Sequence, residues 1–101
     1  MRRFEITVSY EDDFFQESQE TGIIEIDNHL IEMVDDEWRS VLYDLKTPED
    51  IAAHLGYNFF VNGIRSLSRL DGWADQPDTM FKIIKDVNIG YDMVKSVREL
   101  K

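Results

Sequence analysis

The chain has 101 residues, no cysteine and a formal net charge of −10. That excludes a disulfide scaffold, thiolate metal sites and cysteine nucleophiles, and it argues against any direct grip on a phosphate backbone. Hydrophobic residues make up 43% of the chain, enough for one packed core and too many for a disordered tail.

In chain order, Phe4, Ile6, Val8 and Tyr10 alternate with Glu5, Thr7 and Ser9, the period of a half-buried strand. Glu11-Asp12-Asp13 breaks the alternation. Residues 14–19 are polar apart from Phe14 and Phe15, which predicts a long acidic loop. Thr21-Gly22 then leads into Ile23, Ile24 and Ile26, a second strand returning antiparallel to the first.

From Leu30 onward, apolar positions 30, 34, 38, 41 and 45 have helical spacing. Glu32, Asp35, Asp36 and Glu37 fill much of the opposite side, and Asp27 or Asn28 is placed to cap the helix. A third strand over residues 29–34 is the competing reading. Thr47-Pro48-Glu49-Asp50 is the clearest local signal: a capping hydroxyl, a proline with preset φ, and two acids facing the helix dipole. The helix it opens is apolar on two sides and stops at Asn62-Gly63.

Ile64, Leu67 and Leu70 predict a short helical turn. Pro77 and Asp78 predict another helix, with a stripe of Met80, Phe81, Ile83, Ile84 and Val87. Beyond Asn88, Ile89, Tyr91 and Met93 alternate as in a strand, while Met93, Val94, Val97 and Leu100 also fit a helix. The strand is favoured, because two strands alone are marginal in water. The expected fold is α+β, one small domain over residues 1–101. N-terminal antiparallel strands precede three or four helices, and a C-terminal strand completes the sheet.

Chemical motifs are scarce. The stretch LDGWADQPD, residues 70 to 78, has turn and cap chemistry and lacks the alternating acids and closing glutamate of a calcium loop. It reads as punctuation, with Trp73 plugging the core. Nucleophile elbows, phosphate loops and paired zinc histidines are missing from the sequence. His29 with Glu32 and Asp36, joined by Asp50 and His54, is the best metal candidate. Such spacings arise by chance in an acidic chain, and four-ligand convergence is unsupported. No catalytic residue, metal or cofactor is assigned, and the expectation is a protein that is not an enzyme. No apolar run exceeds three residues, whereas a signal-peptide core needs about 7–15 and a membrane span about 20. A soluble cytoplasmic protein without a membrane partner is therefore expected.

Charge is the least ordinary feature. Residues 1–50 hold fifteen acids against four bases, residues 51–101 six against seven, and twelve carboxylates run from Glu5 to Glu37 with no lysine or arginine between them. Like charges this dense repel within the ~8 Å screening length, so a partner of opposite sign is expected. The leading expectation is a non-enzymatic binding module, an inhibitor of the phage or mobile-element type. It would occupy the basic groove of a nucleic-acid-binding enzyme, with carboxylates in place of phosphates. The alternative is an antitoxin, immunity or assembly protein that binds through an apolar patch around Phe14 and Phe15. A small metal-dependent hydrolase ranks third. The residues expected to meet the partner are Glu11, Asp12, Asp13, Phe14, Phe15, Glu17, Glu20, Glu32, Asp35, Asp36 and Glu37.

Overall fold

The alternation at the N-terminus does form a strand, β1 (Arg2–Glu11), and it pairs along its whole length with β2 (Glu17–Ile26). The computed structural model describes residues 1–14, 16–32, 45–70 and 73–101. After β2 come a one-turn helix α1 (Asn28–Glu32) and the main helix α2 (Pro48–Gly56), which continues as a wider π turn over Tyr57–Val61. Strands β3 (Phe81–Lys85) and β4 (Met93–Leu100) complete a four-stranded antiparallel sheet of order β3-β2-β1-β4. α2 lies on one face of that sheet, against β1 and β4 and more lightly β2.

The alternation decides which face is buried. Phe4, Ile6 and Val8 of β1 and Ile24 and Ile26 of β2 are fully buried beneath Ile51, Ala52, Leu55 and Phe59. Each such side chain contributes roughly 1.5–3 kcal/mol by leaving water. Leu30, Leu45, Leu67 and Trp73 close the rim of this one cluster. α2 starts as its sequence requires. Thr47 accepts from the Asp50 amide and the Asp50 carboxylate accepts from the amide of Thr47, a complete capping box with Pro48 at the first position.

Sheet and helix approach most closely through two glycines. Ile6 and Gly22 are cross-strand partners, and Gly56 and Phe60 lie one turn apart on the helix. A Cβ on Gly56 would overlap Ile6 Cδ1 and lie 2.9 Å from its Cγ2. A Cβ on Gly22 would lie 2.7 Å from the Phe60 ring and 3.0 Å from the Lys85 carbonyl oxygen. Each surface thus carries one knob and one notch. At the far end of the helix Gly63 takes φ +70°, where a glycine belongs.

Four expectations need correction. First, the acidic loop is short. β1 continues through Glu11 and β2 begins at Glu17, because an antiparallel arm held by its own ladder does not require apolar residues on either face. Second, the helix expected from Pro77 is a single 3-10 turn, Asp78–Met80, followed by strand. The Asp78 carboxylate accepts from the Leu67 amide and Ser66 hydroxyl instead of capping its own turn. Phe81 and Ile83 then pair with Ile26 and Ile24, while Lys82 and Lys85 face outward. The open edge of β2 outweighs a weak helical stripe.

Third, the C-terminal strand starts at Met93, and Ile89 lies in the loop before it; with β3 the described residues form four strands. Fourth, three or four helices were expected, but among the described residues only α2 exceeds one helical turn. Residues 28–32 are helical, which removes a strand at 29–34 for that part. The remainder of the expected helix at 30–46, with Trp38, Asp35, Asp36 and Glu37, lies outside the described residues up to Leu45. The same is true of Phe15, Asp71 and Gly72. No helix among the described residues is long and apolar enough to cross a membrane.

Helix propensity alone favours alanine over glycine by about 1 kcal/mol. Gly56→Ala is nevertheless expected to destabilise the fold by about 1–3 kcal/mol through overpacking on Ile6. Gly22→Ala should act likewise, and combining it with Phe60→Leu should cost less than the two changes summed. Urea unfolding reads both; unchanged or raised stability in Gly56→Ala contradicts the knob-and-notch contact.

Candidate functional site: the acidic hairpin arm

Two strands project beyond the rest of the sheet. β4 pairs with β1 only as far as Ser9, and β3 pairs with β2 only as far as Ile23. The pairs Tyr10↔Ser18 and Glu11↔Glu17 therefore lie past both flanking strands, at one end of a molecule measuring 43 × 27 × 21 Å. The chain turns at the tip, with Asp13 and Phe14 in the turn.

That turn is built by Asp12. Its amide donates to the Gln16 carbonyl at 3.0 Å, and its Oδ1 accepts from the amides of Phe14 and Gln16, each at 2.9 Å. A short carboxylate closing on its own backbone is the usual turn device. Phe14, whose amide is one of the two donors, is 83% exposed. Asp13 is exposed beside it.

The structure separates the eleven residues singled out from the sequence. Glu11, Asp12, Asp13, Phe14 and Glu17 come together at the tip. Glu20 faces the other side of the arm. It accepts from the Asn88 amide at 3.0 Å and the Tyr91 hydroxyl at 2.9 Å, fastening the 86–92 crossing to the hairpin. Those two donors hold its carboxyl below the usual range, and the same contact pushes the Tyr91 phenol up. Glu32 is on α1, which follows the opposite end of β2. Phe15, Asp35, Asp36 and Glu37 lie outside the described residues.

The strand acids are interleaved with cations. On the sheet face turned away from α2, Lys82, Glu25 and Arg3 occupy one cross-strand row, and Lys85, Ile23, Glu5 and Arg98 the next. Arg3 bonds Glu25 at 2.8 Å, Arg98 bonds Glu5 at 3.2 Å, and Lys95 bonds Glu17 at 2.5 Å. On the other face Arg2 grips Glu99 through two bonds of 2.6 Å. The Lys95 ammonium lowers the Glu17 pKa and the Arg2 guanidinium lowers that of Glu99. Exposed pairs of this kind contribute about 0–1 kcal/mol each. Their larger effect is to neutralise the strand portion of the acidic run.

Two members of the metal set, Asp50 and His54, are engaged elsewhere. Asp50 is held in the capping box, its carboxyl lowered first by the Lys46 amide. His54 stacks on Trp73 with ring centroids 6.0 Å apart. Among the described residues no group of three or more acids and histidines is placed to hold a metal ion. Sequence reasoning missed Asp92, Met93 and Lys95, which β4 brings to the base of the arm. Nothing in a linear reading could have linked them to Glu11.

Burial lowers the His54 pKa from its ordinary value of 6.5, so the unfolded chain takes up the proton first. The stability this group preserves is fully present above that value and is lost as pH falls through it. Unfolding measured from about pH 7 to about pH 5 should show declining stability, flattened in His54→Gln; an equal slope in the variant contradicts burial as the cause.

No family model, curated protein or solved structure matches the chain.

Proposed function

We propose that the protein is a non-enzymatic binding module that docks on the basic surface of a partner protein through its projecting hairpin, with Phe14 as the apolar anchor and Glu11, Asp13 and Glu17 as an anionic rim. The observation that carries this reading is an aromatic ring, 83% exposed, on a turn whose backbone is bonded by the Asp12 carboxylate at the end of an arm. Large apolar side chains singly exposed are common. A turn whose backbone is fixed by side-chain bonds and that presents such a ring near carboxylates has the make-up of an interface anchor: less backbone ordering entropy remains to be lost on binding. The carboxylates would speed encounter with a basic partner and discriminate against acidic ones.

A second reading, occupation of a basic nucleic-acid-binding groove by a polyanionic face, is supported by the net charge of −10. The cations between the strand acids favour the anchored reading over it, since phosphate mimicry requires an unbroken row of one sign. In either form the partner is a protein, nucleic acid is not bound directly, and no metal or cofactor takes part.

The test is affinity capture with immobilised protein from lysate of the source cells. Phe14→Ala is expected to abolish capture of a specific protein, a loss on the order of 2 kcal/mol or more for an anchor. Asp12→Ala should weaken it by releasing the turn, whereas Asp12→Asn, whose Oδ1 accepts the same amides, should retain it. Raising salt from 0.1 to 0.5 M should weaken capture only modestly. Capture that survives Phe14→Ala but collapses with salt or with charge reversal at Asp12 and Asp13 would favour the polyanionic reading instead.

A further inference from the structure

On the sheet face turned away from α2, the edge strand β3 groups Lys82, Ile84 and Lys85. The register explains the grouping. Ile83 turns to the core opposite Ile24, and Lys85 pairs with Ile23, so Ile84 is the extra residue of a bulge. A bulge at a sheet edge re-aims the side chain it carries. Ile84 is 37% exposed, Ile23 on the neighbouring strand is half-buried, and both lysines are exposed. On this face Arg3, Lys95 and Arg98 each hold a carboxylate, whereas among the described residues Lys82 and Lys85 have no ion pair. Lys85 acts on Glu20 through its field alone.

We infer that this patch receives the hairpin tip of a second copy of the chain, with Phe14 seated on Ile84 and Ile23 and the Glu11 and Asp13 carboxylates on Lys82 and Lys85. The inference rests on the binding role proposed above and names a partner for it. Lysines on an edge strand guard against unwanted strand pairing, which accounts for Lys82 and Lys85 and leaves the exposed isoleucine between them unexplained. The patch is the complement of the tip in composition: an apolar centre with two unpaired cations, against an exposed ring with exposed carboxylates at Glu11 and Asp13. Spacing agrees as well. Three strand residues separate the lysines by about 10 Å, two separate the acids by at most about 7 Å, and flexible lysine stems span the difference.

The contact cannot form within one chain. Lys85 lies opposite Ile23, six residues from Glu17 along an unbroken ladder, which leaves it about 20 Å short of the tip. Two copies of net charge −10 do repel each other. At ~0.15 M salt that repulsion is screened beyond ~8 Å, whereas carboxylate and ammonium groups in contact act within ~4 Å. Two copies that exchange tips make both contacts at once and close into a dimer.

The test is sedimentation velocity of the full-length purified protein over a concentration series at ~0.15 M salt. The average mass is expected to rise from one chain towards two. Phe14→Ala on the tip, and Lys82→Glu with Lys85→Glu on the patch, should each weaken association by about thirtyfold or more, the effect of losing an interface anchor. Mixed in equal amounts, these two variants should associate with each other, because one keeps an intact patch and the other an intact tip. That complementation also shows that both are folded. Arg69→Glu with Lys101→Glu, an equal change of charge on exposed residues outside the patch, should weaken association far less. A single chain at every concentration, variants that do not complement each other, or an equal loss in the Arg69 and Lys101 variant would overturn the inference. Single-chain protein beside Phe14-dependent capture of a different protein overturns the self-contact alone. Association and capture that both survive Phe14→Ala overturn the anchor reading with it.

Discussion

The contact on which the rest of the structure depends is the reciprocal seating of Ile6 over Gly56 and Phe60 over Gly22. Those four residues form a square, two across the sheet and two along the helix, so neither surface can slide without moving a ring or a branched side chain into a backbone. Their close approach seats α2 over β1 and β4 and the π turn that follows it over Gly22 of β2. It sets the depth at which Leu55 and Phe59 meet Phe4, Val8 and Ile24. It also divides the hairpin into a clamped part inside the core and a shorter end that continues past the flanking strands. The projecting arm is thus a product of the packing, because the ladder that stiffens it is anchored where the helix presses on it.

Charge follows topology in the same way. Read along the chain, acids and bases are segregated between the two halves. In space β4 lies beside β1 and β3 beside β2, so the basic residues of the second half are laid among the acids of the first. Lys95, Arg98, Lys82 and Lys85 thereby offset much of the charge on the strand surface, while Glu11, Asp12 and Asp13 keep the hairpin tip anionic. This redistribution moves the weight of the functional reading from a broad polyanionic face to a small, preorganised contact with an aromatic at its centre.

Much of the fold was legible where the local code and tertiary packing agree. The alternation of Phe4 to Tyr10 marked β1, and Thr47 to Asp50 marked the start of α2 to the residue. Gly63 marked its end, and Trp73 was placed in the core. Sequence failed where a partner strand decides. Residues Glu17 to Thr21 have no apolar period and are strand only because β1 pairs with them. Phe81 to Lys85 has a tolerable helical stripe and is strand because β2 offers an open edge. At the hairpin tip, Glu11, Asp13 and Phe14 were singled out from composition alone. That Asp12 serves the turn and Glu20 serves the crossing loop is visible only in their hydrogen bonds. Asp92 and Lys95 reach the arm through a register set by the whole sheet.

Residue-resolved amide hydrogen exchange in the free protein tests most directly whether the hairpin is clamped at one half and presented at the other. The amides of the Phe4↔Ile24 and Ile6↔Gly22 pairs are expected to exchange only through global unfolding. Those of Phe14 and Gln16, held by the Asp12 carboxylate, should exchange measurably more slowly than the amide of exposed Asp13. Tip amides exchanging at random-coil rates, or a central hairpin opening as easily as its end, would mean that no preformed arm exists for a partner to bind.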